Sequence, residues 1–205
     1  MSKAVVFQLD SDRPNLKRLQ RVVDELQHGS VIVYPTDTLY GFGCDMGAHK
    51  AVDRILSIKG FDDKHFMSFV CADLGQAAQY VNLDNHAFSI LRRILPGPYT
   101  IVLEANRAVP KVLLNKRKTI GIRIPDSPVA HTLVQALGRP ILSTSVSTRE
   151  GRNLLDPEEI FKLFGAQVDM ILDQGIIADE SSTVLSYEDQ EWTVIREGKG
   201  PIDFL

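Results

Sequence analysis

The chain switches repeatedly between a two-residue and a helical period of apolar positions. The stretch Val31-Ile32-Val33-Tyr34 runs without a polar interruption into Pro35, which cannot donate to a sheet ladder and so ends the pairing. A strand of that composition is expected to be covered on both faces. Thr36, Asp37, Thr38 and Tyr40 follow, then glycines at 41 and 43, which together read as a polar loop. Polar side chains beyond the end of a buried strand fit the usual ligand crevice of an open α/β sheet. The same residues also fit a tight turn rich in hydroxyls.

Other elements follow from the same periodicities. Ala4 to Leu9 alternates weakly and predicts a first strand. Leu16, Leu19, Val22, Val23 and Leu26 recur at helical spacing, with Pro14 suited to the first turn, Ser11 or Asp12 as cap, and Gly29 as the stop. Val52, Ile55, Leu56 and Ile58 mark a helix ending near Lys59-Gly60, and Phe66 to Cys71 reads as a short strand. Helical patterns cover Leu74 to Tyr80 and the stretch from an Asp84 cap through Ile94. The Pro96-Gly97-Pro98 loop then leads into a strand at Tyr99 to Leu103. Thr119 to Ile124 is a strand stopped by Pro125, Ser127-Pro128 opens a helix ending at Gly138, and Pro140 to Leu142 is a strand. Asp156 and Glu159 have capping-box spacing, and the last strands fall at Val168 to Leu172, Thr183 to Ser186 and Trp192 to Arg196. Strands and helices alternate until the end, where strands cluster, so the fold class expected is α/β with a mixed sheet.

Length and composition narrow the class. At 205 residues, 44% hydrophobic and 24% charged, the sequence reads as one ordinary globular domain, residues 1–205, with a core that needs no staple. No run of about 18 apolar residues occurs, and residues 1–8 do not read as a signal peptide, so a cytoplasmic location is expected. Cys44 and Cys71 form no paired motif and read as reduced, buried thiols. The net charge of −3 argues against a global attraction to nucleic acid, but the charge is uneven. Residues 105–125 carry six basic side chains and no acid, whereas 156–205 carry twelve acids against three bases. That imbalance points to a local anion site or to a solvated basic loop.

Polar clusters recur where strands are expected to end: Thr36 to Tyr40, Arg123, Ser143 to Ser147, Ser181 to Thr183, and Arg196. Hydroxyls and guanidinium groups donate to phosphate and carboxylate oxygens, and Lys59 at a helix end adds a point charge. The five histidines never fall at paired metal-ligand spacing. The phosphate-loop and dinucleotide patterns are absent, and Ser145 lies in no nucleophile elbow.

At these clusters the sequence resembles the YrdC/YciO family, which includes the threonylcarbamoyl-AMP synthases of tRNA modification. The matching blocks are Pro35 to Gly41, Lys59-Gly60, Pro96 to Thr100, Arg123-Ile124-Pro125, Ser143-Thr144-Ser145, Ser182-Thr183-Val184 and Arg196-Glu197-Gly198, in order. The resemblance implies a twisted mixed parallel/antiparallel sheet of the YrdC type, with helices around a concave nucleotide-binding cavity. It implies a synthase that joins threonine, bicarbonate and ATP into threonylcarbamoyl-AMP and pyrophosphate, with Mg2+ on the triphosphate and no structural metal. By position, Lys59 and Arg123 are implied as catalytic. Thr36, His65, Arg123 and Ser182 are implied as contacts to the amino acid, and Lys59, Ser143, Ser145 and Arg196 as contacts to ATP or AMP.

Two departures qualify this. The synthases carry Lys-x-Arg where this chain has Lys59-Gly60-Phe61, and Ser-x-Asn where it has Ser145-Val146-Ser147. Phe61 removes a fixed phosphate-binding charge. Both losses, with the Arg117 to Gly121 run, look like the YciO branch. The expectation is therefore a weak or specialised synthase. The alternative is a protein that binds a nucleotide, tRNA or double-stranded RNA without that chemistry, using Lys116, Arg117 and Lys118 against phosphates.

Overall fold

The structure is a computed structural model that describes residues 3–9, 16–60, 67–114 and 117–204. Its elements are β1 (Val5–Gln8), α1 (Leu16–Gln27), β2 (Ile32–Tyr34), β3 (Gly41–Asp45), α2 (His49–Lys59), β4 (Ser68–Val70), α3 (Leu74–Ala77) and α4 (Asn85–Ile94). After these come β5 (Tyr99–Glu104), β6 (Thr119–Arg123), α5 (Pro128–Leu137), β7 (Ile141–Ser145), α6 (Pro157–Phe164), β8 (Met170–Asp173), β9 (Thr183–Glu188) and β10 (Glu191–Arg196). Among the described residues the strands form one sheet in the order β1-β8-β2-β3-β7-β4-β6-β5-β9-β10. Parallel pairs (β1/β8, β2/β8, β4/β6, β5/β9) mix with antiparallel ones, as the late clustering of strands requires. No helix among the described residues is long and apolar enough to cross a membrane.

The two faces of the sheet differ along its width. One cross-strand row runs Cys44, Leu142, Phe69, Ile122, Ile101 and Leu185, ending at Val194, and is apolar throughout. It belongs to a core that also takes Val52 and Ile55 of α2, Leu91 of α4 and Ile160 of α6. The row beside it points to the other face and runs Ile32, Gly43, Ser143, Ser68, Gly121 and Val102, ending at Ser186 and Thr193. There α1 and α5 cover Ile32, Tyr34, Ile141 and Met170 with Leu19, Val23, Leu133 and Val134. The small and polar half of that face has no helix upon it and floors a cavity.

β3 corrects the loop expected over 36–45. Its glycines suggest a turn, yet they serve a close approach within a strand. A Cβ at Gly43 would lie 2.7 Å from Tyr34 Cε1 and 2.9 Å from Ile141 Cγ2, and one at Gly41 only 2.9 Å from Ser143 Oγ. The ring of Tyr34 fills the space that two side chains would need, and its hydroxyl donates to Ser143 Oγ at 2.9 Å. Ser143 to Ser145 also lie inside β7 and not beyond its end, each opposite β3. The helix expected over Leu74 to Tyr80 stops at Ala77, although Asp73 and Asp84 cap α3 and α4 through their side chains. Ser127 and Asp156 cap α5 and α6 likewise, while Glu159 turns to Arg152 and leaves the capping box half made. Pro14 and Phe66 lie outside the described residues.

Gly43→Ala is expected to destabilise the fold by about 1 to 3 kcal/mol, because the Tyr34 ring and Ile141 cannot both retreat. Gly47→Ala, whose Cβ would meet nothing closer than 3.5 Å, is the control and should change stability by less than about 0.5 kcal/mol in the same denaturant titration. Burial, opposed by the Ser143 hydrogen bond, pushes the Tyr34 phenol up to about 12 from 10.0. An unfolded chain therefore gives up that proton first, and stability that is full below pH 10 should fall as pH rises toward 12. Tyr34→Phe should flatten this part of the stability–pH curve.

Candidate functional site

The loop after β2 folds back across the sheet and forms one wall of the cavity. Thr36 Oγ1 donates to Leu39 O at 2.7 Å and accepts from Thr38 N at 3.2 Å, a side-chain turn that sets the loop. With that proton committed, the 3.1 Å contact between the two threonine hydroxyls has Thr38 as donor, and Thr38 Oγ1 accepts from Arg123 Nη2 at 2.8 Å. The chain Arg123–Thr38–Thr36–Leu39 polarises in one direction, each bond strengthening the next. Asp37 completes the link: Oδ1 takes Arg123 Nη2 at 3.0 Å and Oδ2 takes the backbone N–H of Asp126 at 3.0 Å. This ion pair is largely out of water, with 13% and 8% of the two side chains exposed. Arg123 Nε is buried and has no partner among the described residues.

Opposite lies the second guanidinium. Gly198 packs where a Cβ would come within 2.4 Å of Ser181 O, so glycine lets the chain after β10 lie against Ser181 and Ser182. Gly198 N donates to Thr183 Oγ1, which donates to Gly200 O, and Lys199 N donates to Ser181 O. The stitched segment holds Arg196, whose Nε and Nη2 donate to Ser182 O at 3.2 and 2.8 Å. Among the described residues no carboxylate pairs with it. Desolvation and then the nearby charge of Arg123 lower the Arg196 pKa from its ordinary value. Two guanidiniums that repel each other at one cavity, one of them with no carboxylate partner among the described residues, suit an anion. Lys199 joins the walls, donating from Nζ to Asp37 O and pairing with Glu180, both at 3.0 Å.

The third cation enters from another side. α2 ends at Lys59, and Gly60 leaves the helical conformation at φ +74°. Lys59 Nζ donates to Ser145 O at 3.1 Å and to Ser147 Oγ at 2.5 Å, and burial lowers its pKa from the ordinary value. An ammonium has three donors, so one remains for a ligand.

Thr36, Lys59, Arg123, Ser143, Ser145, Ser182 and Arg196 all line this one cavity of about 830 Å³. Their freedom differs. Ser143, 6% exposed, spends its proton on Phe42 O at 3.0 Å and accepts from Tyr34, so it belongs to the floor as much as to any ligand. Thr36 has likewise committed its proton. Ser182 Oγ shares a hydrogen with Thr100 Oγ1 at 2.9 Å and accepts from Arg196 Nη2 at 3.3 Å, so room for one further partner remains. Arg117 lines the same cavity, whereas Lys118, with a left-handed φ of +57°, does not. Of the expected RNA contacts, Arg117 is thus the one among the described residues that lines the cavity. Lys116, His65 and Phe61 lie outside the described residues. Sequence reasoning placed Asp37 and Thr38 in the polar Thr36 to Tyr40 cluster without giving either a role, and missed Lys199. The signal available for Asp37 was an acid in the most polar loop, together with an arginine that ends a later strand.

Comparisons with known proteins place this geometry. The model of the Sua5/YciO/YrdC domain, described as "Telomere recombination", matches residues 24–198. The chain is 38% identical to the uncharacterized protein YciO of Escherichia coli K12 over 198 residues, 96% of each. The crystal structure of E. coli YciO superposes with a TM-score of 0.93 at 37% identity, covering 98% of both chains. A threonylcarbamoyl-AMP synthase of Vibrio vulnificus is 31% identical over 160 residues, 77% of this chain and 86% of its own. The P. abyssi Sua5 structure complexed with L-threonine shares the fold, with a TM-score of 0.88 at 23% identity over 95% of this chain and 58% of that one. The family expected from the seven sequence blocks is thus the one found, and the chain belongs to the Sua5/YciO/YrdC family.

Proposed function

We propose that the cavity binds threonine and ATP and joins them with bicarbonate to give threonylcarbamoyl-AMP and pyrophosphate, in a protein tied to tRNA threonylcarbamoyladenosine formation. The observation that carries this reading is the convergence of Lys59, Arg123 and Arg196 on one cavity, each with donors left over. Threonine's carboxylate would lie against the part of the Arg123 guanidinium that lines the cavity, and Ser182 would take its hydroxyl or amine. The amine captures bicarbonate with loss of water to give a carbamate. A carbamate oxygen then attacks the α-phosphorus in line, and pyrophosphate leaves. Lys59 and Arg196 spread the charge that grows on the phosphate oxygens, so catalysis is positioning and electrostatics.

Among the described residues no group of three His, Cys, Asp or Glu could hold a metal ion. A Mg2+ that accompanies the nucleotide would find its ligands in phosphate oxygens and water. The reading as a binder of double-stranded RNA has less to support it, because Arg117 lines the cavity and stands apart from Lys118 in that respect.

Purified protein incubated with labelled bicarbonate, threonine and ATP should form labelled threonylcarbamoyl-AMP and release pyrophosphate. Absence of both products at any threonine concentration would refute the synthase reading. Arg123→Lys keeps the charge but loses the fork, and calorimetry should record threonine affinity falling by about 1.5 to 3 kcal/mol with ATP affinity little changed. Phe61→Arg with Ser147→Asn should raise turnover, since it restores a phosphate-binding guanidinium beside Lys59 and an amide in place of its hydroxyl partner. Melting temperature measured alongside separates a failed clamp from a failed fold.

A further inference from the structure

Lys59 reaches the cavity beside β7, Arg123 from the end of β6 and Arg196 from the open end of the β9–β10 hairpin, but the turn end of that hairpin has a different character. Ser186, Glu188 and Thr193 line the cavity there, beside the apolar surfaces of Val102, Val184 and Ile195. Ser186 and Thr193 face each other in register, and Ser186 Oγ donates to Glu188 Oε1 at 3.2 Å, fixing the carboxylate at the cavity rim. Among the described residues no cation lies within 4.0 Å of it. Glu191 instead stands directly opposite Glu188 across the hairpin, and like charges so placed repel.

A lone carboxylate in an anion-binding cavity repels phosphate, so it decides which end of a ligand may approach. It is acceptor-only and needs donors. A ribonucleoside carries a pair of neutral donors at a fixed spacing, the 2′ and 3′ hydroxyls of ribose, and a carboxylate can accept both. The apolar surface beside it suits a flat base. We infer that Glu188 reads the ribose diol of the nucleotide and makes the cavity selective for ribonucleotides over 2′-deoxyribonucleotides. This rests on the nucleotide reading proposed above.

Titration calorimetry with ATP and with 2′-deoxy-ATP tests it. The wild-type protein should bind ATP about tenfold or more tightly than 2′-deoxy-ATP. Glu188→Ala should bring ATP down to the 2′-deoxy level, leave 2′-deoxy-ATP as tight or tighter, and leave threonine affinity unchanged. Glu191→Gln relieves the opposed charge but keeps Glu188, and should retain the preference. A wild-type protein that binds both nucleotides equally, or a preference that survives Glu188→Ala, overturns the inference and leaves nucleotide binding standing. Failure to bind either nucleotide removes both.

Discussion

Two helices cover one face of a ten-stranded sheet over only part of its width, and what lies beyond their edge is organised by that shortfall. Where α1 and α5 lie, the face must be apolar. Where they stop, a strand has to present residues that tolerate water while its opposite face stays in the core. The boundary runs within single strands. On β4, Val70 is packed under the helices and Ser68, on the same face, belongs to the cavity. On β7, Ile141 is core and Ser145 is lining. The cavity is therefore the uncovered part of a face whose remainder is hydrophobic core, and its floor is as rigid as the sheet.

Much of this was legible in the sequence. An uninterrupted Val31 to Tyr34 marks a strand covered twice, while Thr119-Ile120-Gly121-Ile122-Arg123 alternates because its odd positions meet the cavity and its even ones the core. Local capping was also readable, since Asp84 and Ser127 act within three residues of themselves. What could not be read was anything decided by a distant partner. Gly41 and Gly43 look like turn residues until the Tyr34 ring is known to occupy their Cβ space. Glu159 looks like half of a capping box until Arg152 takes it. Thr36 and Ser143 read as ligand hydroxyls, yet each gives its proton to a backbone carbonyl, an alternative that composition cannot separate from ligand binding.

The electrostatic design follows from the same separation of floor and walls. The floor supplies hydroxyls and glycines without charge, and the charges come from segments that end at the cavity's edge. Arg123 ends β6, Arg196 ends β10, and Lys59 ends α2. Each is held by an interaction that leaves donors over: Arg123 by Asp37 and Thr38, Arg196 by Ser182, Lys59 by Ser145 and Ser147. Donors fixed in advance need no reorganisation when charge arrives, which is where such sites gain most over water.

The hold on Lys59 bears on how strong the chemistry can be. Its ammonium donates to Ser147 Oγ at 2.5 Å and to Ser145 O at 3.1 Å. A hydroxyl that accepts so closely fixes the amine but competes with phosphate for it, since each proton given to Ser147 is one withheld from the ligand. Burial, which lowers the Lys59 pKa, sharpens that competition by making the charged form costlier to leave unpaired. A longer amide in that position would move the acceptor and add a donor of its own toward the cavity. The serine therefore favours a well-anchored lysine over one free to turn all its donors to an anion in the cavity.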